Sequence, residues 1–152
     1  MLDLQVKRVA GGGMSRSINL FAQSSDIGLK GFVKDLQETL GLPFEYLPDD
    51  EIDFLYFAQR MNNETNSIER FWVGDHTYAS TRGLPLSEYR FDIELDTSSD
   101  DWKFTPPKRE QMKDALGYTV FEQLKATGRY DLLLVDDVQR KLAEFHPTRQ
   151  EM

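Results

Sequence analysis

Residues 89–96 read Tyr89-Arg90-Phe91-Asp92-Ile93-Glu94-Leu95-Asp96, with apolar and charged side chains in strict turn. An extended chain points successive side chains to opposite faces, so it sorts this stretch into one apolar and one charged side, whereas a helix scatters both around its axis. The stretch predicts a β-strand with Tyr89, Phe91, Ile93 and Leu95 turned to a core and the charged residues in water. A sheet wetted on one face is typical of antiparallel pairing, which sets the expectation for the rest of the chain.

Upstream, Ile52 to Gln59 alternates with apolar residues on both sides, and Ile68 to Val73 follows the polar turn Asn62-Asn63-Glu64-Thr65-Asn66, so the pair reads as a hairpin with a long loop. Phe44 to Leu47 is a short apolar piece, and Ile18, Leu20 and Ala22 alternate as in a further strand. Between them, Leu29, Phe32, Val33, Leu36 and Leu40 recur at the spacing of one helical face. Ser25 or Asp26 is the candidate cap of that helix, and Gly41 with Pro43 stops it.

Downstream, Thr105-Pro106-Pro107 opens a second helix that reaches Gly128, with Met112, Ala115, Leu116, Val120 and Leu124 along one side and Gly117 as a point of division. Tyr130 to Val135 reads as a strand. Asp136 then caps an expected final helix in which Val138, Leu142 and Phe145 stand at i, i+4 and i+7, closed by His146-Pro147. The fold class expected is α+β, a mixed and mostly antiparallel sheet with helices packed on one face. One domain over residues 1–152 is expected, with 1–13, ending in Gly11-Gly12-Gly13 before Met14, read as a flexible extension.

The 152 residues suffice for a core without disulfide or metal staples, and 39% hydrophobic residues with 12% aromatics exceed what a disordered chain carries. No cysteine is present, which excludes a disulfide framework, a thiolate zinc site and a cysteine nucleophile. No apolar run approaches the ~20 residues of a membrane span, and a cytoplasmic location is expected. Lys and Arg number 18 against 26 Asp and Glu, a net charge of −8. That balance opposes nucleic-acid and anionic-membrane binding and favours a basic partner.

Catalytic motifs are scarce. His76 and His146 have no second histidine or carboxylate at metal-ligand spacing, and neither a nucleophile elbow, a phosphate loop nor a dinucleotide fingerprint occurs. Asp136-Asp137 after an apolar strand resembles the magnesium pocket of receiver domains, but only 15 residues follow Asp137, too few for the sheet such a domain needs. No cofactor and no metal is expected, and the chain is read as a binding protein rather than an enzyme.

The candidate site is acidic. Asp92, Glu94 and Asp96 project from one strand face at about 7 Å intervals, followed by Asp100, Asp101 and Trp102, and a second cluster comprises Asp49, Asp50, Glu51 and Asp53. Like charges in a row repel, so their retention points to solubility, to cross-strand cations or to a basic ligand. Tyr46, Phe54, Tyr56, Tyr89, Phe91 and Trp102 are the aromatic candidates for an interface beside them.

In its size, its charge and the stretches Pro48-Asp49-Asp50-Glu51-Ile52-Asp53 and Arg90-Phe91-Asp92-Ile93-Glu94-Leu95-Asp96, the chain resembles the bacterial immunity proteins that neutralise polymorphic or contact-dependent growth-inhibition toxins. The resemblance implies inhibition by occlusion, with carboxylates meeting the basic cleft of a cognate toxin such as a nuclease. The alternatives are a phage-type inhibitor of a host nucleic-acid-binding protein, a small enzyme using Asp, Glu and His76, and an adaptor domain. Oligomeric state is left open.

Overall fold

The computed structural model describes residues 17–47, 55–75, 84–100, 103, 105–137 and 140–147. Among them, seven strands form one sheet: β1 (Ile18–Gln23), β2 (Glu45–Tyr46), β3 (Tyr56–Asn62), β4 (Ser67–Asp75), β5 (Phe91–Ser98), β6 (Asp131–Asp136) and β7 (Arg140–Phe145). Their order is β2-β3-β4-β5-β1-β6-β7, and every neighbouring pair is antiparallel. Two helices, α1 (Leu29–Leu40) and α2 (Pro106–Lys125), pack on one face, which gives the α+β class that the alternation of residues 89–96 implies.

The main core lies between that face and the helices. Phe32, Val33, Leu36 and Leu40 of α1 and Leu116, Val120, Phe121 and Leu124 of α2 meet Ile18, Leu20, Phe71, Ile93, Leu95 and Leu134 from the sheet. Each fully buried side chain of this kind contributes about 1.5–3 kcal/mol from removal of its apolar area from water. Phe32 stacks on Phe91 with ring centroids 4.6 Å apart and meets the edge of Tyr130 at 5.1 Å, which ties α1 to the centre of the sheet.

Several expectations are corrected. Helix α1 begins at Leu29 with Gly28 in the cap position and no side-chain cap, so neither Ser25 nor Asp26 caps it, while Gly41 ends it in the left-handed region at φ 64°. Gly117 does not divide α2, which runs unbroken over 20 residues. The buried side of α2 is Lys113, Leu116, Gly117, Val120, Phe121 and Leu124, and Met112 and Ala115, expected on that side, are half-buried and exposed.

The expected final helix is strand β7. Leu134 pairs with Ala143 but Val135 pairs with Lys141, so Leu142 is an extra residue in a β-bulge. The bulge interrupts the two-residue period, and a run of apolar residues four and three apart then imitates a helical face. The chain reverses between β6 and β7 beside Asp137, whose left-handed φ of 55° Asp tolerates better than most residues. The β3–β4 hairpin likewise turns through residues 63–66, with Asn66 at φ 53°.

The second face of the sheet is not open to water along its centre. Phe21, Leu133 and Val135 are covered by Leu84, Leu86 and Tyr89 from a segment containing a 3-10 turn (Leu86–Glu88), and Phe57, Trp72 and Leu47 form a further apolar group. The face of β5 expected in water is covered too, with Asp92 2% and Asp96 3% exposed.

Gly117 lets α2 approach the sheet: a Cβ there would stand 2.9 Å from Ile18 Cγ2 and 3.3 Å from Leu134 Cδ1. Ile18 is β-branched and fully buried, so it has little freedom to withdraw. Gly117→Ala is expected to destabilise the fold by about 1–3 kcal/mol through overpacking, in spite of the helix propensity gained. Urea unfolding of the two proteins checks this.

Candidate functional site

Two places gather functional side chains: the carboxylates of β5 on the second sheet face, and a groove between the β3–β4 hairpin and α2. The strand register positions the first. Glu94 pairs with Trp72 of β4 on one side and with Asn19 of β1 on the other, and Asp92 pairs with Gly74 and Phe21. Alternation places Trp72, Asn19, Asp92 and Glu94 on the face away from the helices.

Asn19 Nδ2 donates to Asp92 Oδ1 at 2.8 Å, with both residues buried. Burial pushes the Asp92 carboxyl up to about 8, the Asn19 hydrogen bond opposing that and the neighbouring charge of Glu94 adding to it. Two buried atoms in the same row have no hydrogen-bond partner: the Asn19 Oδ1 acceptor and the Trp72 Nε1 donor.

Asp96 is compensated differently. Arg109 of α2 donates to both of its carboxylate oxygens at 2.9 Å, and Lys113, 1% exposed, stands 3.7 Å from Asp96 and from Glu110. Arg70, opposite Asp96 in the register, is lowered from the usual arginine value by burial first, with Asp96 opposing and the like charge of Arg109 adding. Both Arg109 contacts come from Nη2, while its Nε donates to the Thr97 carbonyl at 2.9 Å, and such charge-assisted bonds offset part of the desolvation of the carboxylate.

The structure therefore brings Asp92, Glu94 and Asp96 onto one strand as expected, but it encloses the first and last, with Glu94 half-buried. Asp100 is exposed at the strand's exit. Asp101, Trp102, Asp49, Asp50, Glu51, Asp53, Phe54 and His76 lie outside the described residues. Of the aromatic candidates, Tyr46 is 56% exposed on the edge strand β2 while Tyr89 and Phe91 belong to the cores.

His146, expected at the close of a final helix, has carboxylates on both ring nitrogens: Nδ1 is 2.9 Å from Asp131 Oδ1 and Nε2 is 2.5 Å from Glu144 Oε2. Only the imidazolium donates at both positions. The Glu144 carboxyl is held below its ordinary value by that bond first and by Lys141 second, against a smaller effect of desolvation. Asp131 is 15 residues away in sequence, and the β6–β7 pairing brings it near, so no local spacing announces the cluster.

The groove escaped sequence reading altogether. It encloses about 550 Å³ and is lined by Arg60, Met61, Glu64 and Glu69 of the hairpin and Met112 and Leu116 of α2, among others. Met61 is 53% exposed. Arg60 pairs with Glu69 at 2.7 Å and Asn62 donates to the other oxygen of Glu69 at 3.1 Å, which fixes one wall. Among the described residues, no group of three or more His, Cys, Asp or Glu is arranged to hold a metal, and no helix is long and apolar enough to cross a membrane.

The raised Asp92 has a defined stability signature. Between its ordinary 3.8 and about 8 the folded chain holds a proton that the unfolded chain has lost, so its contribution is complete below pH 3.8 and declines as pH rises to about 8. Asp92→Asn keeps an acceptor for Asn19 and removes this titration. The melting temperature of the variant relative to the parent is expected to climb from pH 4 to pH 9; a difference flat across that range refutes the assignment.

Glu144 has the opposite sign. Its lowered carboxyl contributes stability above the ordinary 4.5 that is lost as pH falls through the folded value. His146→Ala is expected to return Glu144 towards 4.5, which carboxyl-carbon NMR titration measures directly. Comparison of the chain with protein-family models, curated proteins and solved structures finds no match, so its function has to be argued from this geometry.

Proposed function

We propose that the chain is a protein-binding inhibitor of the immunity type, which neutralises a basic toxin by docking it against the groove between the β3–β4 hairpin and α2. The observation that carries this is the pairing of Met61, Met112 and Leu116 with exposed Glu64 around one concavity of about 550 Å³, in which Arg60 and Glu69 offset each other's charge. Unbranched methionines adapt to a partner's shape. The carboxylate of exposed Glu64 and the net charge of −8 attract a basic one.

Charge of this kind acts mainly on the rate of encounter and makes it sensitive to salt, while desolvated apolar contacts set the residence time. The partner that fits presents a lysine- or arginine-rich surface with an apolar side chain at its centre, as a nuclease cleft does. The docking surface in this reading is the groove and the exposed Asp100, because Asp92 and Asp96 are enclosed.

The test is growth protection against a basic toxin encoded next to this chain, joined to binding kinetics at low and high salt. Met61→Lys combined with Glu64→Lys is expected to weaken binding about tenfold or more, with a slower association and loss of protection. A double variant that protects fully refutes the groove; a parent protein that neither binds nor protects against such a toxin refutes the immunity reading.

A further inference from the structure

A second cavity, of about 230 Å³, lies at the end of the sheet remote from the tip of the β3–β4 hairpin. Its lining includes Gln23, Ser24, Ser25 and Asp26, where β1 leads towards α1, and Arg129 and Asp131, where α2 leads into β6. Strand pairing sets these two stretches side by side, since Gln23 is the register partner of Asp131. Gly128, left-handed at φ 68°, turns the chain out of α2 just ahead of Arg129, and Tyr130 is then buried in the main core with Arg129 and Asp131 on either side of it in sequence.

Both signs of charge line this cavity with bonding capacity to spare. The Arg129 side chain is 51% exposed, and its ion pair runs from Nη1 to Asp35 at 3.5 Å, which leaves Nε and Nη2 without an acceptor among the described residues. Asp131 is held at Oδ1 by His146 Nδ1 at 2.9 Å, and its Oδ2 has no donor among them. Asp26 is exposed and receives Ser25 Oγ at 3.4 Å on Oδ1. A simple anion entering here meets two carboxylates and a simple cation meets the guanidinium, and like charges at such range oppose each of them. A ligand that carries an ammonium and a carboxylate together satisfies both walls.

We propose that this cavity binds a free α-amino acid as its zwitterion, with the ligand carboxylate on Arg129 and the ligand ammonium on Asp131 Oδ2, Asp26 adding a second negative charge. The fork of a guanidinium matches a carboxylate, and the three donors of an ammonium suit oxygens that come from different directions. The volume is below the roughly 300–1,000 Å³ of cavities that take drug-sized ligands, which selects a small molecule. Ser24, Ser25 and Gln23 give the remaining wall a polar character, suited to a short or polar side chain. This site and the docking groove lie at opposite ends of the sheet, so neither reading depends on the other.

The experiment is amide NMR titration of the whole chain at pH 7 with glycine, L-serine and L-glutamine, and with sodium acetate and ethylammonium chloride at equal ionic strength as probes of a single charge. At least one amino acid is expected to give saturable shifts centred on residues 23–26 and 128–131, with acetate and ethylammonium each binding about tenfold more weakly or worse. Arg129→Gln and Asp131→Asn are each expected to weaken the effective amino acid by about tenfold or more. Arg129→Gln falls on a half-exposed side chain and keeps the test decisive where Asp131→Asn, which removes the charge beside His146, disturbs the fold. No saturable binding of any amino acid overturns the proposal, as does acetate or ethylammonium binding as tightly as the amino acid, or undiminished binding by Arg129→Gln.

Discussion

The constraint on which the structure depends is the position of β1. It pairs with β5 on one side and β6 on the other, and both its faces are covered: Ile18, Leu20 and Ala22 by the helices and Phe21 by the Leu84–Tyr89 segment. A strand enclosed in this way hides the side chains of Ile18 through Ala22 from water, so a polar group left unpaired there carries a cost. Asn19 is its buried polar residue, and its amide reaches Asp92, two residues from its own register partner Glu94. The approach of α2 at Gly117 follows from the same enclosure, since Ile18 and Leu134 rise into the space that a larger residue would take.

Burying the charged side of β5 carries an electrostatic cost that two mechanisms offset at different ends of the strand. At Asp96 the helix supplies Arg109 and Lys113, and the lysine stands between two carboxylates, Asp96 and Glu110. At Asp92 the cost of desolvation is met by keeping the proton. A carboxyl that is neutral near pH 7 both donates and accepts hydrogen bonds, as an alcohol does.

The edges of the sheet are poor templates for strand addition. On one side β2 contributes only Glu45 and Tyr46, and on the other β7 carries the bulge at Leu142 together with Arg140 and Lys141. Short strands, bulges and edge cations all hinder pairing with another chain. The groove beside Met61 combines the apolar Met61, Met112 and Leu116 with Glu64 and the Arg60–Glu69 ion pair.

Alternation along residues 89–96 was enough to determine a strand and an antiparallel sheet, and the spacing of Leu29, Phe32, Val33, Leu36 and Leu40 enough to determine α1, because local period reflects which side of an element meets apolar surroundings. Composition determined that the chain has an excess of carboxylates. Tertiary structure alone decided which of them are in water. A pattern of charge at every second residue records that one face differs from the other; whether that face meets solvent depends on a cover contributed by residues 84–89 and on cations brought from α2. The helical period read over Leu142 and Phe145 failed because one inserted residue in β7 is a matter of its register against β6. The groove joins a hairpin tip to a helix some fifty residues later, and the His146 cluster spans β6 and β7, so each exists only where chain segments distant in sequence pack together.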